Sequence, residues 1–212
     1  MAGKAKHWPH FKRSQEEKKE ETVPSVHMDY WFMRDNEDDE KVTVLNYKEK
    51  LSKSYGAHVV PKKGFDVKTA ERVIKNLEGW GCQNKLIIKT DQEPSVRAVV
   101  GEVKKLRTSE TLVELSKKYD SQSNGVAERS VQSVEGQVRT LKMALERHLE
   151  SKLSVSHPAT TWMVEHAADL LNKFAVGEDG RTAYERVKGK KYRGEMIEFG
   201  RKVMYKIPCK LE

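Results

Sequence analysis

DSQSNGVAERSVQSVEGQVRTLKMALERHL, residues 120–149, opens as a polar segment and continues as a long amphipathic pattern. Its apolar residues recur at alternating steps of three and four, which places them on one buried face of an α-helix. They are Val131, Val134, Val138, Leu141 and Leu145. The stretch around Gln122 to Gly125 predicts an irregular loop, after which Glu128 stands at the start of the helix. A carboxylate there is either a solvated residue that favours the helix N-terminus or a rigidly held metal ligand.

Upstream of this segment, short apolar runs alternate with helical patterns. Five runs have the length and composition of strands. They are VHMDYWFM (26–33), VTVLNY (42–47), GAHVVP (56–61), KLIIKTD (85–91) and TLVELS (111–116). Helical spacing over 66–80 and 95–106 separates the last three runs. This order predicts an α/β fold with a mixed five-stranded sheet, in which three antiparallel strands are followed by two parallel strands added through right-handed crossovers, and helices flank both faces.

Three regions follow from the same pattern. Residues 1–24 are rich in Lys and Glu with almost no apolar periodicity, so we expect a basic and charged, flexible lead-in. Residues 25–150 form the predicted core domain. Residues 151–212 predict a helical extension, with a helix at about 157–174 and a strand-like VMYKI (203–207) at the start of a truncated C-terminal segment.

Composition restricts the class of protein. The chain has 212 residues with a formal net charge of +8, so an anionic partner is plausible, nucleic acid first. With Cys82 and Cys209 alone there is no disulfide framework, which favours a reducing, intracellular compartment. No apolar run has the length of a membrane span, and the start lacks a signal peptide's apolar segment, so no membrane partner is expected.

Three acidic residues occupy comparable places in the predicted topology. Asp29 lies inside the first strand, Asp91 ends the fourth, and Glu128 heads the helix after the fifth. Because parallel neighbours in an open sheet end at one edge, and the first and fourth strands should be neighbours in this topology, these carboxylates can converge. Three hard oxygen ligands suit Mg²⁺ or Mn²⁺, and a pair of such ions about 3.5–4 Å apart would support in-line phosphoryl displacement. The chain has no Ser-His-Asp pattern and no P-loop.

These residues resemble the DDE catalytic core of retroviral and LTR-retrotransposon integrases. The resemblance lies in VHMDYWFM, IIKTDQEP and SQSNGVAERSVQSVEGQVRTLK, with 36 residues between Asp91 and Glu128. The later segment RTAYERVKGKKYRGEMIEFGRKVMY looks like the part that follows the core in Copia-type Pol polyproteins. The resemblance covers about residues 24–206 and implies a ribonuclease-H-like fold.

The resemblance also implies a function. Asp29 would bridge two divalent ions, while Asp91 and Glu128 would each complete one of them. The family trims the 3′ ends of its element's DNA and joins them to target DNA as multimers, which implies DNA partners, a homo-oligomer and nuclear action after a cytoplasmic particle stage. Gln122, Asn124 and Gly125 would shape the loop beside the site, and Arg129 would contact DNA. Alternatively, Asn124 and Gly125 only set turn geometry and Arg129 is a surface cation.

Departures from the family's pattern leave alternatives open. The usual Asp-Asn-Gly is Asp91-Gln92-Glu93 in this chain, and Gln132 and Glu135 stand where relatives often place basic residues. The zinc-binding module expected upstream is missing, as is most of a C-terminal DNA-binding domain, which predicts an excised fragment, a domesticated remnant or a decayed copy. The same fold would therefore also suit a catalytically inactive nucleic-acid-binding protein or a metal-dependent nuclease.

Overall fold

A computed structural model describes residues 23–37, 41–116 and 121–204, with the side chains of 121–124 left out. Five strands and five helices lie in this part of the chain. The strands are β1 (Ser25–Met33), β2 (Val42–Glu49), β3 (Tyr55–Val60), β4 (Leu86–Thr90) and β5 (Thr111–Leu115). The helices are α1 (Val67–Gly79), α2 (Pro94–Leu106), α3 (Ser121–Leu149), α4 (Ala159–Phe174) and α5 (Ala183–Lys188).

The strands form one sheet in the order β3-β2-β1-β4-β5. β1, β2 and β3 pair antiparallel, whereas β4 pairs parallel to β1 and β5 parallel to β4. This is the predicted mixed sheet, and the prediction is confirmed. β1 is the central strand, so it is flanked by β2 on one side and β4 on the other. Because β1 is longer than β4, their pairing ends at Met28 and Thr90, and β1 continues beyond the end of its parallel neighbour.

The two faces of the sheet are buried under different helices. Along β1, side chains alternate between faces. Val26 and Met28 are fully buried on the face covered by α1 and α2, together with residues such as Val73 and Val99. Trp31 is buried on the other face, among residues of α3 and α4 such as Val134. A strand buried on both faces needs a nearly continuous apolar run, which explains why VHMDYWFM contains so few polar residues.

Local chemistry fixes the helix starts and one close strand contact. The Asp66 carboxylate accepts a hydrogen bond of 3.1 Å from the Thr69 N–H and caps α1, and Pro94 opens α2. In the β2–β3 pair, Gly56 lies opposite Tyr47, whose ring passes so near that a Cβ on residue 56 would lie 2.2 Å from it. Only glycine fits there, and the Tyr47 side chain is fully buried as a result.

Two sequence predictions are corrected by the structure. The loop expected around Gln122 to Gly125 is helical, because α3 already begins at Ser121. A single glycine in a helix costs only about 1 kcal/mol, which the apolar face of a helix this long can offset. The strand expected at 203–207 is absent at Val203 and Met204, and its remaining residues lie outside the described part.

The lead-in predicted for residues 1–24 also lies almost wholly outside the described part, which begins at Val23. The predicted boundary at residue 150 falls between α3 and α4, and α4 contributes Met163 and Val164 to the same buried cluster as α3. The division into three regions stays a prediction. Within the described ranges, no helix is both long enough and apolar enough to cross a membrane.

Candidate metal centre

Asp29 lies on β1 where the parallel pairing with β4 stops. Its neighbour Met28 pairs with Thr90, the last residue of β4, so the Asp29 side chain stands beside the point where β4 ends. Asp29 is half-buried, and one carboxylate oxygen, Oδ1, accepts a hydrogen bond of 2.7 Å from the N–H of Tyr30. Across the sheet its partner on β2 is Asn46.

Asp91 follows β4 directly and forms a tight turn into α2. Its Oδ1 accepts a hydrogen bond of 3.0 Å from the N–H of Glu93, and Pro94 then starts the helix. The turn brings the Glu93 side chain back towards β1. As a result, one carboxylate oxygen from each of Asp29, Asp91 and Glu93 lies within 4.8 Å of the other two. Three carboxylates at this spacing suit a hard divalent cation such as Mg²⁺ or Mn²⁺.

Glu93 is the member of this group that sequence reasoning did not propose. Glu93 stands where the family's pattern has glycine, and a residue two places after an acid has no helical or strand periodicity that would indicate a ligand. In the structure, its Oε1 lies 2.6 Å from the Lys63 Nζ and accepts a hydrogen bond from the Ser95 hydroxyl. Burial opposes ionisation, but these hydrogen bonds and the Lys63 charge lower the pKa of Glu93, so the group is anionic at neutral pH.

Lys63 is held in place by more than its ion pair. Its ammonium group lies 4.7 Å from the centre of the Phe32 ring and 5.3 Å from that of the Tyr30 ring. Both rings belong to β1, the strand that carries Asp29. Cation–π contacts of this kind fix the position of a flexible lysine. The cluster of Asp29, Asp91 and Glu93 therefore has one positive charge, that of Lys63, fixed beside it.

Glu128 lies on α3, the helix that packs against β1 and β2, and stands apart from the cluster of Asp29, Asp91 and Glu93. It is exposed on α3 and does not belong to the group of carboxylates within 4.8 Å of one another. Two residues further on, the buried Ser130 accepts a hydrogen bond of 2.9 Å from the Asn46 amide, and Asn46 is the cross-strand partner of Asp29. This contact docks the early part of α3 beside the candidate site. The role of Glu128 as a metal ligand stays a prediction.

The remaining predicted residues lie on the first turns of α3. Arg129 is exposed, and its Nε donates a hydrogen bond of 3.0 Å to the carbonyl of Gly125. Gly125 is therefore part of a helix and not of a loop. Gln122 and Asn124 are in the helix as well, with side chains outside the described part. Their contacts with nucleic acid stay predictions.

Solved structures with the same architecture are retroviral integrase cores. The catalytic core domain of BIV integrase is 20% identical, covers 78% of this chain and 93% of its own, and superposes with a TM-score of 0.52. The HTLV-2 integrase catalytic core domain in complex with magnesium, in its trimeric form, is 14% identical, covers 78% and 98%, and has a TM-score of 0.56.

A chain of the simian T-cell lymphotropic virus intasome, in complex with PP2A regulatory subunit B56 gamma, is 14% identical over 86% of this chain and 60% of its own, with a TM-score of 0.56. No protein-family model matches the chain, and no curated protein does. Identities of this size establish the fold alone. The protein has the ribonuclease-H-like fold of the retroviral integrase catalytic core.

Proposed function

We propose that this protein is a DDE-type DNA integrase core, a polynucleotidyl transferase that acts on phosphodiester bonds with Mg²⁺ or Mn²⁺. The observation that carries the proposal is the approach of Asp29, Asp91 and Glu93 to within 4.8 Å at the edge of an integrase-like sheet. The solved HTLV-2 core of the same fold is a complex with magnesium, which supports the same kind of ion here. A Copia-type retrotransposon Pol polyprotein is the proposed origin.

In this proposal, one set of residues binds the metal ions and another set binds DNA. Asp29, Asp91 and Glu93 would ligate the ions, with Glu128 supplying a further carboxylate from α3. Bound divalent ions supply Lewis-acid activation of the attacking and leaving oxygens. The Tyr30 N–H fixes one Asp29 oxygen at 2.7 Å and so restricts its rotamer. Gln122, Asn124, Gly125 and Arg129, on the first turns of α3, would position the DNA strand.

The proposed reaction is trimming of retroelement DNA 3′ ends and their joining to target DNA. It requires two DNA partners and, by resemblance, more than one copy of the chain. HTLV-2 cores are solved in dimeric and trimeric forms, which supports a homo-oligomer. Because the target is chromosomal DNA, the proposed place of action is the nucleus, reached from a cytoplasmic particle.

A strand-transfer assay tests this proposal. With Mn²⁺ and a labelled duplex, Asp29→Asn, Asp91→Asn and Glu128→Gln should each reduce joining by a factor of at least about 100, because each removes an anionic ligand. Glu71→Gln, an exposed acid on α1, is the matched control and should retain activity. Unchanged thermal unfolding excludes a folding defect. Activity that survives all three site substitutions would overturn the proposal, and cleavage without joining would indicate a metal-dependent nuclease.

A catalytically inactive nucleic-acid-binding protein is the second candidate. It is favoured by the ion pair between Lys63 and Glu93, which already partly neutralises the carboxylate group, and by the exposure of Glu128 away from that group. This candidate predicts DNA binding without metal binding. Calorimetric titration with Mg²⁺ separates the two, since heat of binding that disappears in Asp91→Asn supports the enzyme.

A further inference from the structure

A basic groove of about 430 Å³ lies between the β2–β3 hairpin, the start of α3 and the end of α4. Five cationic side chains line it, against one acidic side chain. The cations are Lys48, Lys50, Lys53, Arg129 and Arg186, and the acid is Glu178. This imbalance far exceeds that of the whole chain, in which 40 Lys and Arg face 32 Asp and Glu.

One of these cations is committed to the fold. The Arg186 guanidinium pairs with Asp179 and donates to the carbonyls of Ser52, at 3.2 Å, and Arg181, at 2.8 Å. It thereby joins the hairpin to the segment before α5. The same contacts explain Gly177, where a Cβ would collide with the Arg186 guanidinium. Arg186 therefore has a structural role in the groove, and few of its N–H groups remain to donate a hydrogen bond to a ligand.

Three other cations form no ion pair with an acidic residue of the described ranges. In the described part of the chain, no ion pair joins Lys48, Lys53 or Arg129 to a carboxylate. Lys48 and Lys53 are nevertheless half-buried. The Lys48 ammonium donates to the Tyr55 hydroxyl at 2.7 Å and lies 4.1 Å from the centre of its ring, so its position is fixed. Partly buried cations that outnumber the acidic side chains lining the same groove favour an anionic ligand.

The framework around these cations is rigid. The Tyr55 N–H donates to the Asn172 side chain at 2.7 Å, and the Asn172 amide donates back to the Tyr55 carbonyl at 2.8 Å, which locks β3 to α4. Lys53 occupies the hairpin turn with φ of 61°, a left-handed conformation that is uncommon for a residue other than glycine. The β3 and α4 walls of the groove are therefore joined by hydrogen bonds before any ligand binds.

The groove also adjoins the candidate metal centre. Lys48 is two residues along β2 from Asn46, the cross-strand partner of Asp29, and two residues of a strand span about 7 Å. Arg129, on the opposite wall, follows Glu128 directly. A polyanion in the groove would therefore have one end beside the carboxylates.

We infer that Lys48 and Lys53, together with Arg129, form a phosphate-binding track that positions duplex DNA alongside the metal centre. The inference deepens the proposed function, because the DNA that it would hold is the substrate of that reaction. Its contacts are to backbone phosphates, which orient a duplex without reading its sequence. Each such contact releases a counterion, so binding is expected to be strongly salt-dependent.

Fluorescence anisotropy with a labelled duplex in EDTA tests the track separately from catalysis. The double variant Lys48→Gln/Lys53→Asn removes two charges, and Asn is chosen at residue 53 because it tolerates the left-handed conformation. For this variant, the slope of the logarithm of the DNA association constant against the logarithm of the salt concentration should be less negative by about 2 than for the native chain. Each lost phosphate contact accounts for about 0.9 of this change. Affinity at moderate salt should fall by about tenfold or more.

The matched control is Lys68→Gln/Lys104→Gln, which removes two exposed charges from α1 and α2 on the other face of the sheet. Equal slopes in the two double variants, or no DNA binding by the native chain, would overturn the inference. Stronger competition by polyaspartate than by DNA would also overturn it and indicate an acidic protein segment. EDTA removes divalent ions, so the binding assay does not depend on catalysis. If DNA binding depends on Lys48 and Lys53 but strand transfer fails, the track is supported and the proposed enzymatic function is not. If strand transfer occurs but the two double variants have equal salt slopes, only the track is rejected.

Discussion

Glu93 and Lys63 give the candidate metal centre a charge balance that differs from three isolated carboxylates. Glu93 brings a third negative charge within 4.8 Å of Asp29 and Asp91, and Lys63 sets one positive charge 2.6 Å from it. A divalent cation entering this group must compete with Lys63 for Glu93. The ion pair therefore lowers the affinity of these carboxylates for a metal ion, and the Lys63 charge keeps Glu93 ionised in the absence of metal.

Replacing Lys63 should consequently strengthen metal binding. Lys63→Gln removes the charge and keeps a side chain of similar length, so we expect Mn²⁺ to bind at least about tenfold more tightly, which corresponds to ~1.4 kcal/mol. The measurement is calorimetric titration or the Mn²⁺ paramagnetic resonance signal. Lys62→Gln, an exposed neighbour, is the control and should change affinity little. Equal affinities for the two variants would contradict a metal site that includes Glu93.

Sequence periodicity could predict most elements because their burial is regular. β1 is buried on both faces, so its apolar run is continuous, and α1 shows a clear helical repeat with a capping residue in front. The start of α3 could not be predicted in this way. Its first residues, SQSNG, are polar and typical of a loop, and only the long apolar face that follows stabilises them as helix.

The candidate site was less predictable than the fold, for a physical reason. Asp29 and Asp91 could be paired from topology, since the ends of neighbouring parallel strands meet. Glu93 reaches Lys63 through the turn after Asp91, and aromatic contacts with β1 hold Lys63 in place. Neither the turn nor the aromatic contacts produce a periodic pattern in the sequence. The basic groove likewise combines residues of β2, the hairpin and α3 that are more than 70 residues apart in sequence.

The start of α1 depends on Asp66. Its carboxylate accepts hydrogen bonds from the N–H and the hydroxyl of Thr69, and these, against a smaller opposing effect of burial, lower the pKa of Asp66 below its ordinary value of 3.8. Asp66→Ala should therefore reduce the free energy of unfolding at neutral pH by about 1 kcal/mol. Urea unfolding measures this, with Glu71→Ala on the same helix as a control that should cost much less.

The pH dependence of this cap has a defined sign. A group whose pKa is lower in the folded state stabilises the fold above its ordinary pKa and loses that contribution as pH falls through the folded-state value. The difference in unfolding free energy between the native chain and Asp66→Ala should hence be constant above about pH 5 and shrink below pH 3.8. A difference that grows on acidification would contradict the capping role.

For the whole molecule, the sheet joins two cores that depend on different ends of the chain. One lies under α1 and α2, and the other lies under α3 and α4. In the second core, Met163, Val164 and Ala167 of α4 are almost fully buried, and α4 packs against β3 and α3. Asn172 adds the paired hydrogen bonds to Tyr55 on β3. The extension after residue 150 thus covers β3 on the same face of the sheet on which α3 covers β1 and β2.

A chain that ends at residue 149 should for this reason lose cooperative folding. Without α4, Ala57 of β3 and the side of α3 that packs against α4 become exposed to water, and this loss of burial costs several kcal/mol at about 25 cal/mol per Å², a large part of the stability of a domain of this size. We expect binding of a hydrophobic dye and a broad urea transition. The control ends at residue 204, retains α4 and should unfold in one sharp step. A sharp transition in the shorter chain, with the urea dependence expected for its size, would instead make residues 25–150 an independent domain.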